Sequence, residues 1–272
     1  MTATAISLRG VSKTFYKRRS LVDVVRRTPV SGVTAVNGVS FDVKPGKTFA
    51  LVGESGSGKS TIAQLVVGLQ QADAGDLLIK DQSMLSGRTV GLDMARTIQM
   101  VFQDPYTSLN PRWQVGAVIS EPCRALRLGL SEPEIRDRVA DLLTKVGLHP
   151  SDAGRSAHEL SGGQRQRIAI ARMLAAQAEI VVCDEPTSAL DVSVQAQILN
   201  LMRDLQDEFG LTYLFISHNM SVVRFMADDV GVMKQGRLVE QGPAEQVFSA
   251  PADPYTRALL AAVPRPEPEA VH

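Results

Sequence analysis

Residues Gly53–Ser60 read GESGSGKS and satisfy the template G-x-x-x-x-G-K-[ST] at every position. No other segment restricts the chain so strongly. A triphosphate carries dense negative charge and needs many short donors. Gly53, Gly56 and Gly58 let the backbone turn its N–H groups inward, because glycine tolerates angles that other residues avoid. Lys59 supplies a point charge for the β and γ phosphates, and the Ser60 hydroxyl can sit on Mg²⁺. The apolar run Thr48–Val52 in front reads as a buried strand. Thr61–Val67 behind reads as the start of a helix, whose N-terminal dipole serves the same anion. Strand, loop and helix in that order predict a nucleoside triphosphate site. It is formed by Gly53, Glu54, Ser55, Gly56, Ser57, Gly58, Lys59, Ser60 and Thr61.

The remaining periodicity alternates strands with helices. Strand-like runs fall at Ile6–Val11, Thr34–Val43, Thr97–Phe102, Glu179–Glu185 and Leu211–Ser217. Val230–Lys234 and Arg237–Gln241 flank Gln235-Gly236, a hairpin signal. Residues 112–160 read helical. There Ser131 and Glu134 make a capping box ahead of Ile135, Val139, Leu142, Leu143 and Val146, with Gly147 as the stop. Ser161 with Gln164 opens a second helix to about Ala176, and Asp191 opens a long one ending at Gly210. This alternation implies an α/β fold with a mostly parallel sheet wrapped by helices.

Composition removes some classes of function. The 272 residues include 29 basic and 29 acidic side chains, so bulk charge gives no case for nucleic acid. Cys123 and Cys183 are too few for a disulfide framework or a metal cluster, which suits a reducing cytosol. No apolar stretch approaches the ~20 residues that a membrane helix needs. Met1–Arg9 lacks a basic start followed by an apolar core, so no secretory leader is expected. If the protein serves transport, the channel belongs to another chain. The basic segment with Lys17, Arg18, Arg19, Arg26 and Arg27 reads as a solvated loop, with contact to anionic lipid heads as the alternative. The tail from Pro264 is expected to fray.

Four further constellations end strands or begin helices, on the side where open α/β sheets bind ligands. Ile180–Asp184 followed by Glu185 delivers two carboxylates from an apolar strand. Asp184 suits Mg²⁺ or its water shell, and Glu185 suits polarising an attacking water. Gln103 ends a strand with a neutral amide that could ligate the same ion. His218 ends another strand and could donate to a γ-phosphate, although a lone histidine is more often structural. Leu160-Ser161-Gly162-Gly163-Gln164 combines a capping box with two glycines that weaken a helix but bare its first N–H groups. A second anion site in one chain suggests a triphosphate held from two sides.

Taken in order, these motifs resemble the ATP-binding cassette ATPase family over roughly residues 6 to 262. The resemblance implies a P-loop, RecA-like nucleotide core. Residues 1–103 would hold an N-terminal antiparallel β subdomain and the phosphate loop, and 104–160 a helical insert. Residues 161–245 would complete the core, and 246–272 would form a C-terminal motif and tail. It makes Phe15 the adenine-stacking aromatic, with Tyr16 as rival, Gln103 the glutamine loop and Ser161, Gly162, Gly163 and Gln164 the signature. It also makes Ser188–Asp191 a dimer-contact loop and His218 the switch histidine. ATP and Mg²⁺ are the implied cofactors, with Ser60, Gln103 and Asp184 on the metal and Lys59, Glu185 and His218 in catalysis. The implied partner is a second ATPase subunit, the same chain or a paralogue, paired head to tail. Two transmembrane permease subunits and, indirectly, a substrate-binding protein complete the assembly, with no nucleic acid. The protein would lie peripherally on the cytoplasmic face of the inner membrane. Gln103–Arg112 and Pro254–Leu260 with Pro264 resemble ATPase subunits of oligopeptide and dipeptide importers. Nickel, glutathione or oligosaccharide cargo, and a soluble role in repair or translation, are the alternatives. Asn219 departs from the acid that many relatives carry after the switch histidine. The tail lacks the cysteines of relatives with an iron–sulfur centre, and none is expected here.

Overall fold

The computed structural model describes residues 4–16, 32–83, 91–103, 110 and 112–262. The basic segment within 17–31, most of the stretch 104–111 and the tail from Pro264 lie outside the described residues.

Thr48–Val52 (β3) is buried at every position, as is Thr212–Ile216 (β8) beside it. Unbroken apolar runs are what strands covered on both faces require. They pair in parallel, with Asp229–Lys234 (β9) on one side and Ile180–Asp184 (β7), then Ile98–Val101 (β6), on the other. Arg237–Pro243 (β10) closes the edge antiparallel to β9, as the Gln235-Gly236 turn anticipates. The order is β10-β9-β3-β8-β7-β6.

A second, wholly antiparallel sheet joins Ile6–Tyr16 (β1), Gly32–Val43 (β2), Ala74–Ile79 (β4) and Gln82–Ser83 (β5) in the order β2-β1-β4-β5. β1 and β2 run longer than their apolar patches. β4 carried no readable signal, because its pairing depends on tertiary contact: Ile6 faces Ile79 and Leu8 faces Leu77. Phe41 of this sheet stacks on Phe49 of the other, with centroids 4.6 Å apart and planes 7° from parallel. One core, including Leu8, Val39, Leu51, Ile62, Val66 and Leu214, fills the space between the sheets.

The helices follow their end signals. Lys59–Val66 (α1) follows the phosphate loop, and Leu92–Thr97 (α2) precedes β6, which therefore begins one residue later than its apolar run. Val115–Ala125 (α3) and Glu132–Lys145 (α4) form the insert. The Ser131 N–H donates to Glu134 Oε2 at 2.7 Å, completing the cap of α4, and Gly147 leaves at φ +72°. Gly162–Ala175 (α5) packs chiefly on α3 and also on α4. A division at 160 therefore separates helices that share one core. Val192–Phe209 (α6) stops at Gly210, which adopts φ +65°. Met220–Met226 (α7), Ala244–Ser249 (α8) and Pro254–Ala261 (α9) complete the chain. Among the described residues, no helix is long and apolar enough to cross a membrane.

Candidate functional site

The segment between β3 and α1 has the backbone a phosphate cradle needs. Gly53 sits at φ +145° and Gly58 at φ +105°. A Cβ on Gly53 would fall 2.1 Å from the Met233 carbonyl oxygen, and one on Gly58 2.2 Å from that of Ala35. Both positions exclude any side chain twice over, by angle and by space. Gly56 has open space around it and is needed only for its φ of +78°. The hairpin β9–β10 braces the loop, as the Gly236 N–H donates to the Ser57 carbonyl at 3.0 Å.

Lys59 is 6% exposed. Its Nζ donates to the carbonyls of Gly53 and Glu54, each at 2.8 Å, and to Ser57 Oγ at 3.3 Å. Burial pulls its pKa below the ordinary lysine range, while the charges of Glu185, Asp184 and Glu54 pull the other way. The cation is therefore desolvated and supported by local acids. The Ser60 hydroxyl donates to Asp184 Oδ1 at 3.0 Å. Burial first, and then the neighbouring Glu185 charge, lift the Asp184 pKa, against the Ser60 bond and Lys59.

Glu185 holds φ +49°, a left-handed angle rare for a side chain with a Cβ. Its N–H donates to the Ile216 carbonyl at 2.9 Å, and its carbonyl accepts from the Ser188 N–H at 3.2 Å. One carboxylate oxygen accepts from Gln103 Nε2 at 3.3 Å, and the other lies 3.0 Å from His218 Nδ1. Strain of this kind gathers where a side chain must be aimed. Phe15, Ala35, Ser55, Gly56, Gly58, Lys59, Ser60, Thr61, Gln103, Glu185 and His218 line one cleft of about 690 Å³. Phe15 lines it from β1, whereas the neighbouring Tyr16 packs against the Gly32 backbone and does not.

The signature stands elsewhere. Ser161, Gly162, Gly163 and Gln164 do not line this cleft. Ser161 Oγ accepts from the Gln164 N–H at 3.3 Å, and Gln164 Oε1 accepts from the Ser161 N–H at 3.1 Å. The glycines have a packing role that their helix cost did not reveal. A Cβ on Gly163 would come 2.5 Å from Val194 Cγ1, while one on Gly162 would meet Leu190 at an ordinary 3.5 Å. Asp191 caps α6 next to this contact without a side-chain bond of its own. One contact was not legible at all: the Glu54 N–H donates to the Tyr255 hydroxyl of α9 at 3.2 Å.

A parallel sheet with a glycine-rich phosphate loop at a strand end, flanked by a strand-borne acid pair, defines a P-loop nucleoside triphosphatase. Residues 36–188 match the ABC transporter family model, and residues 239–271 match the oligopeptide/dipeptide transporter C-terminal region. The chain belongs to the ABC transporter family and is one of its ATPases. It is 48% identical to the oligopeptide transport ATP-binding protein AppF of Bacillus subtilis, over 96% of this chain and 78% of that one. It is 51% identical to the dipeptide transport ATP-binding protein DppF of Haemophilus influenzae, over 87% and 72%. Among solved structures, cbiO1 from Clostridium perfringens, part of the ABC transporter complex cbiONQ, superposes with a TM-score of 0.76 at 29% identity, covering 91% of this chain and 92% of that one. The dimeric ATP-binding cassette MJ0796 in a post-hydrolysis state, bound to ADP and Pi, gives 0.74 at 27%, covering 88% and 98%.

Proposed function

We propose that this chain hydrolyses ATP as one half of a head-to-tail pair and so drives a membrane importer of oligopeptides or dipeptides. One observation carries the catalytic reading: Glu185 is held between the Gln103 amide and the His218 ring, over a cleft that contains buried Lys59. In this reading, Glu185 orients and deprotonates the attacking water. Lys59 and His218 offset charge on the transferring phosphoryl group, and backbone donors from Gly56 to Thr61 cradle the phosphates. Phe15 stacks on adenine.

The donor set fits Mg²⁺. The Ser60 hydroxyl and Asp184 carboxylate are hard oxygens 3.0 Å apart, and magnesium is usually held by one or two carboxylates plus substrate phosphates. The Gln103 amide oxygen is a third candidate ligand. When bound, the ion would supply positive charge to offset that on the triphosphate oxygens.

Ser161, Gly162, Gly163 and Gln164, with Asp191 beside them, serve the partner's nucleotide. Their place outside this chain's own cleft supports that division of labour. The partner is a second copy or a paralogue. An apolar groove of about 230 Å³ opens beside Gln103, between Val67, Leu69, Met100, Phe102 and Met173, with Leu69 and Phe102 exposed. It supports docking of a permease segment on this face. Two permeases and an external capture protein complete the importer, and this subunit sits on the cytoplasmic face of the membrane. The names of the relatives support the peptide cargo.

The test is Glu185→Gln. Phosphate release should fall by about 10²–10⁴, the scale of a lost general base, with ATP binding retained. Unchanged turnover would remove Glu185 from its role. Uptake of labelled peptides by cells with and without the gene, against nickel, glutathione and oligosaccharide, tests the cargo.

A further inference from the structure

The proposed mechanism makes no use of α9, yet this helix reaches the phosphate loop. Two bonds fix its approach: one Glu240 carboxylate oxygen of β10 accepts from the Ala252 N–H at 2.7 Å, and the other from the Asp253 N–H at 3.1 Å. Asp253 then caps the helix, accepting from the Tyr255 N–H at 2.7 Å. The Tyr255 ring lies under the Lys234 ammonium, 4.6 Å from its centroid, at the end of β9. From that seat its hydroxyl accepts the Glu54 N–H at 3.2 Å. Glu54 does not line the nucleotide cleft, whereas Ser55 does. The bond therefore grips the loop just before the cradle begins.

We propose that Tyr255 is a positioning residue for ATP binding, and that the C-terminal segment is coupled to nucleotide occupancy through its bond to the phosphate loop. The inference rests on the proposed ATP site and deepens it. Gly53 and its successors adopt angles that only a braced loop keeps, and each brace that is already in place lowers the ordering cost of binding. Met233 and Gly236 brace one flank through backbone contacts. Tyr255 braces the entry through a side chain on a different helix. Because coupling between two sites is reciprocal, bound ATP should in turn hold α9 in place.

Tyr255→Phe keeps the ring against Lys234 and removes only the hydroxyl. In the full chain, with a fluorescent ATP analogue and Mg²⁺, its Kd should rise about three- to tenfold, the range of one neutral hydrogen bond. kcat at saturating ATP should stay within about twofold of wild type, because no reacting group moves. The nucleotide-free melting temperature should fall by only about 1–4 °C, the effect of one lost hydrogen bond on a chain of this size. Glu240→Gln, which loosens the approach, should shift Kd the same way by less. Amide exchange across Pro254–Ala261 should slow on adding ATP to the wild type, and less so in Tyr255→Phe. If Tyr255→Phe binds the analogue as tightly as wild type, or lowers only the melting temperature, the coupling is overturned and the ATP site stands. A wild-type chain that binds no ATP overturns both.

Discussion

His218 Nδ1 lies 3.0 Å from Glu185 Oε1, and the same carboxylate accepts the Gln103 amide on its other oxygen at 3.3 Å. The histidine is 60% exposed on its side chain and the glutamate 18%, so an open ring holds a largely enclosed acid. In the proposed mechanism, aiming Glu185 is then part of what His218 does. His218→Ala should lower phosphate release by about 10²-fold, the lower part of the acid–base range, with nucleotide affinity nearly kept. Adding it to Glu185→Gln should cost little more, because residues acting as a unit are not additive. Single-turnover phosphate release on the three variants checks this. Fully additive losses would separate the two residues.

Asp184 carries a stability prediction. Its folded pKa is raised, first by burial and then by Glu185. Ionised Asp184 therefore destabilises the nucleotide-free fold, and this penalty is absent where the carboxyl is protonated in both folded and unfolded chains. Asp184→Asn should raise the melting temperature of the nucleotide-free protein at neutral pH. The gain should close as pH falls through the carboxylate range toward the ordinary aspartate pKa. The same variant should lose its Mg²⁺-dependent turnover. Thermal melts from neutral to acidic pH, with no nucleotide, read the first effect, and a constant gap at all pH values would contradict the assignment.

The phosphate loop, the capping boxes of Ser131 and Ser161 and the stop at Gly210 were legible because each is local chemistry: a required angle, a hydrogen bond three residues away, a missing side chain. The convergence of Gln103, Glu185 and His218 could be expected because each ends a strand of one parallel sheet, here β6, β7 and β8. What stayed hidden was long-range. Ala74–Ile79 looks unremarkable until it pairs with Ile6–Arg9. The left-handed angle of Glu185 follows from the turn after β7, not from its residue type. Tyr255 lies 201 residues along the chain from Glu54, the loop residue it touches, and no spacing rule connects them. The crowding of Gly163 likewise needs Val194 in place before it can be seen.

Phe15 and Tyr16 differ in what they face. Phe15 lines the cleft, with the Lys13 ammonium 5.7 Å from its ring centroid. Tyr16 is 66% exposed and turned toward Gly32. Phe15→Ala should weaken an ATP analogue by about 1–3 kcal/mol, the scale of one base stacked on one aromatic ring. Tyr16→Ala should leave affinity within about twofold, since surface changes away from a site fall within ~0.5 kcal/mol. Fluorescence titration of both variants decides, and the reverse ranking would move the stacking role to Tyr16.

The two signature glycines separate packing from partner recognition. Gly163 faces Val194 with no room for a methyl, at 2.5 Å, while Gly162 has ordinary clearance of 3.5 Å from Leu190. Gly163→Ala should therefore destabilise the chain by about 1–3 kcal/mol, the usual cost of overpacking, and Val194→Ala should relieve it. Gly162→Ala should leave stability nearly unchanged or slightly raised, because alanine is the better helix former and no neighbour must move. In the proposed head-to-tail pair, however, Gly162 would have to let a γ-phosphate held by the other subunit approach bare backbone. Gly162→Ala should then lose most hydrolysis while binding ATP normally, because the cleft of its own chain is untouched. Urea denaturation gives the first pair of outcomes, and phosphate release beside equilibrium ATP binding gives the second. Hydrolysis at the wild-type rate in Gly162→Ala would leave the signature with packing as its only role, and the shared-nucleotide pair would lose its chemical basis.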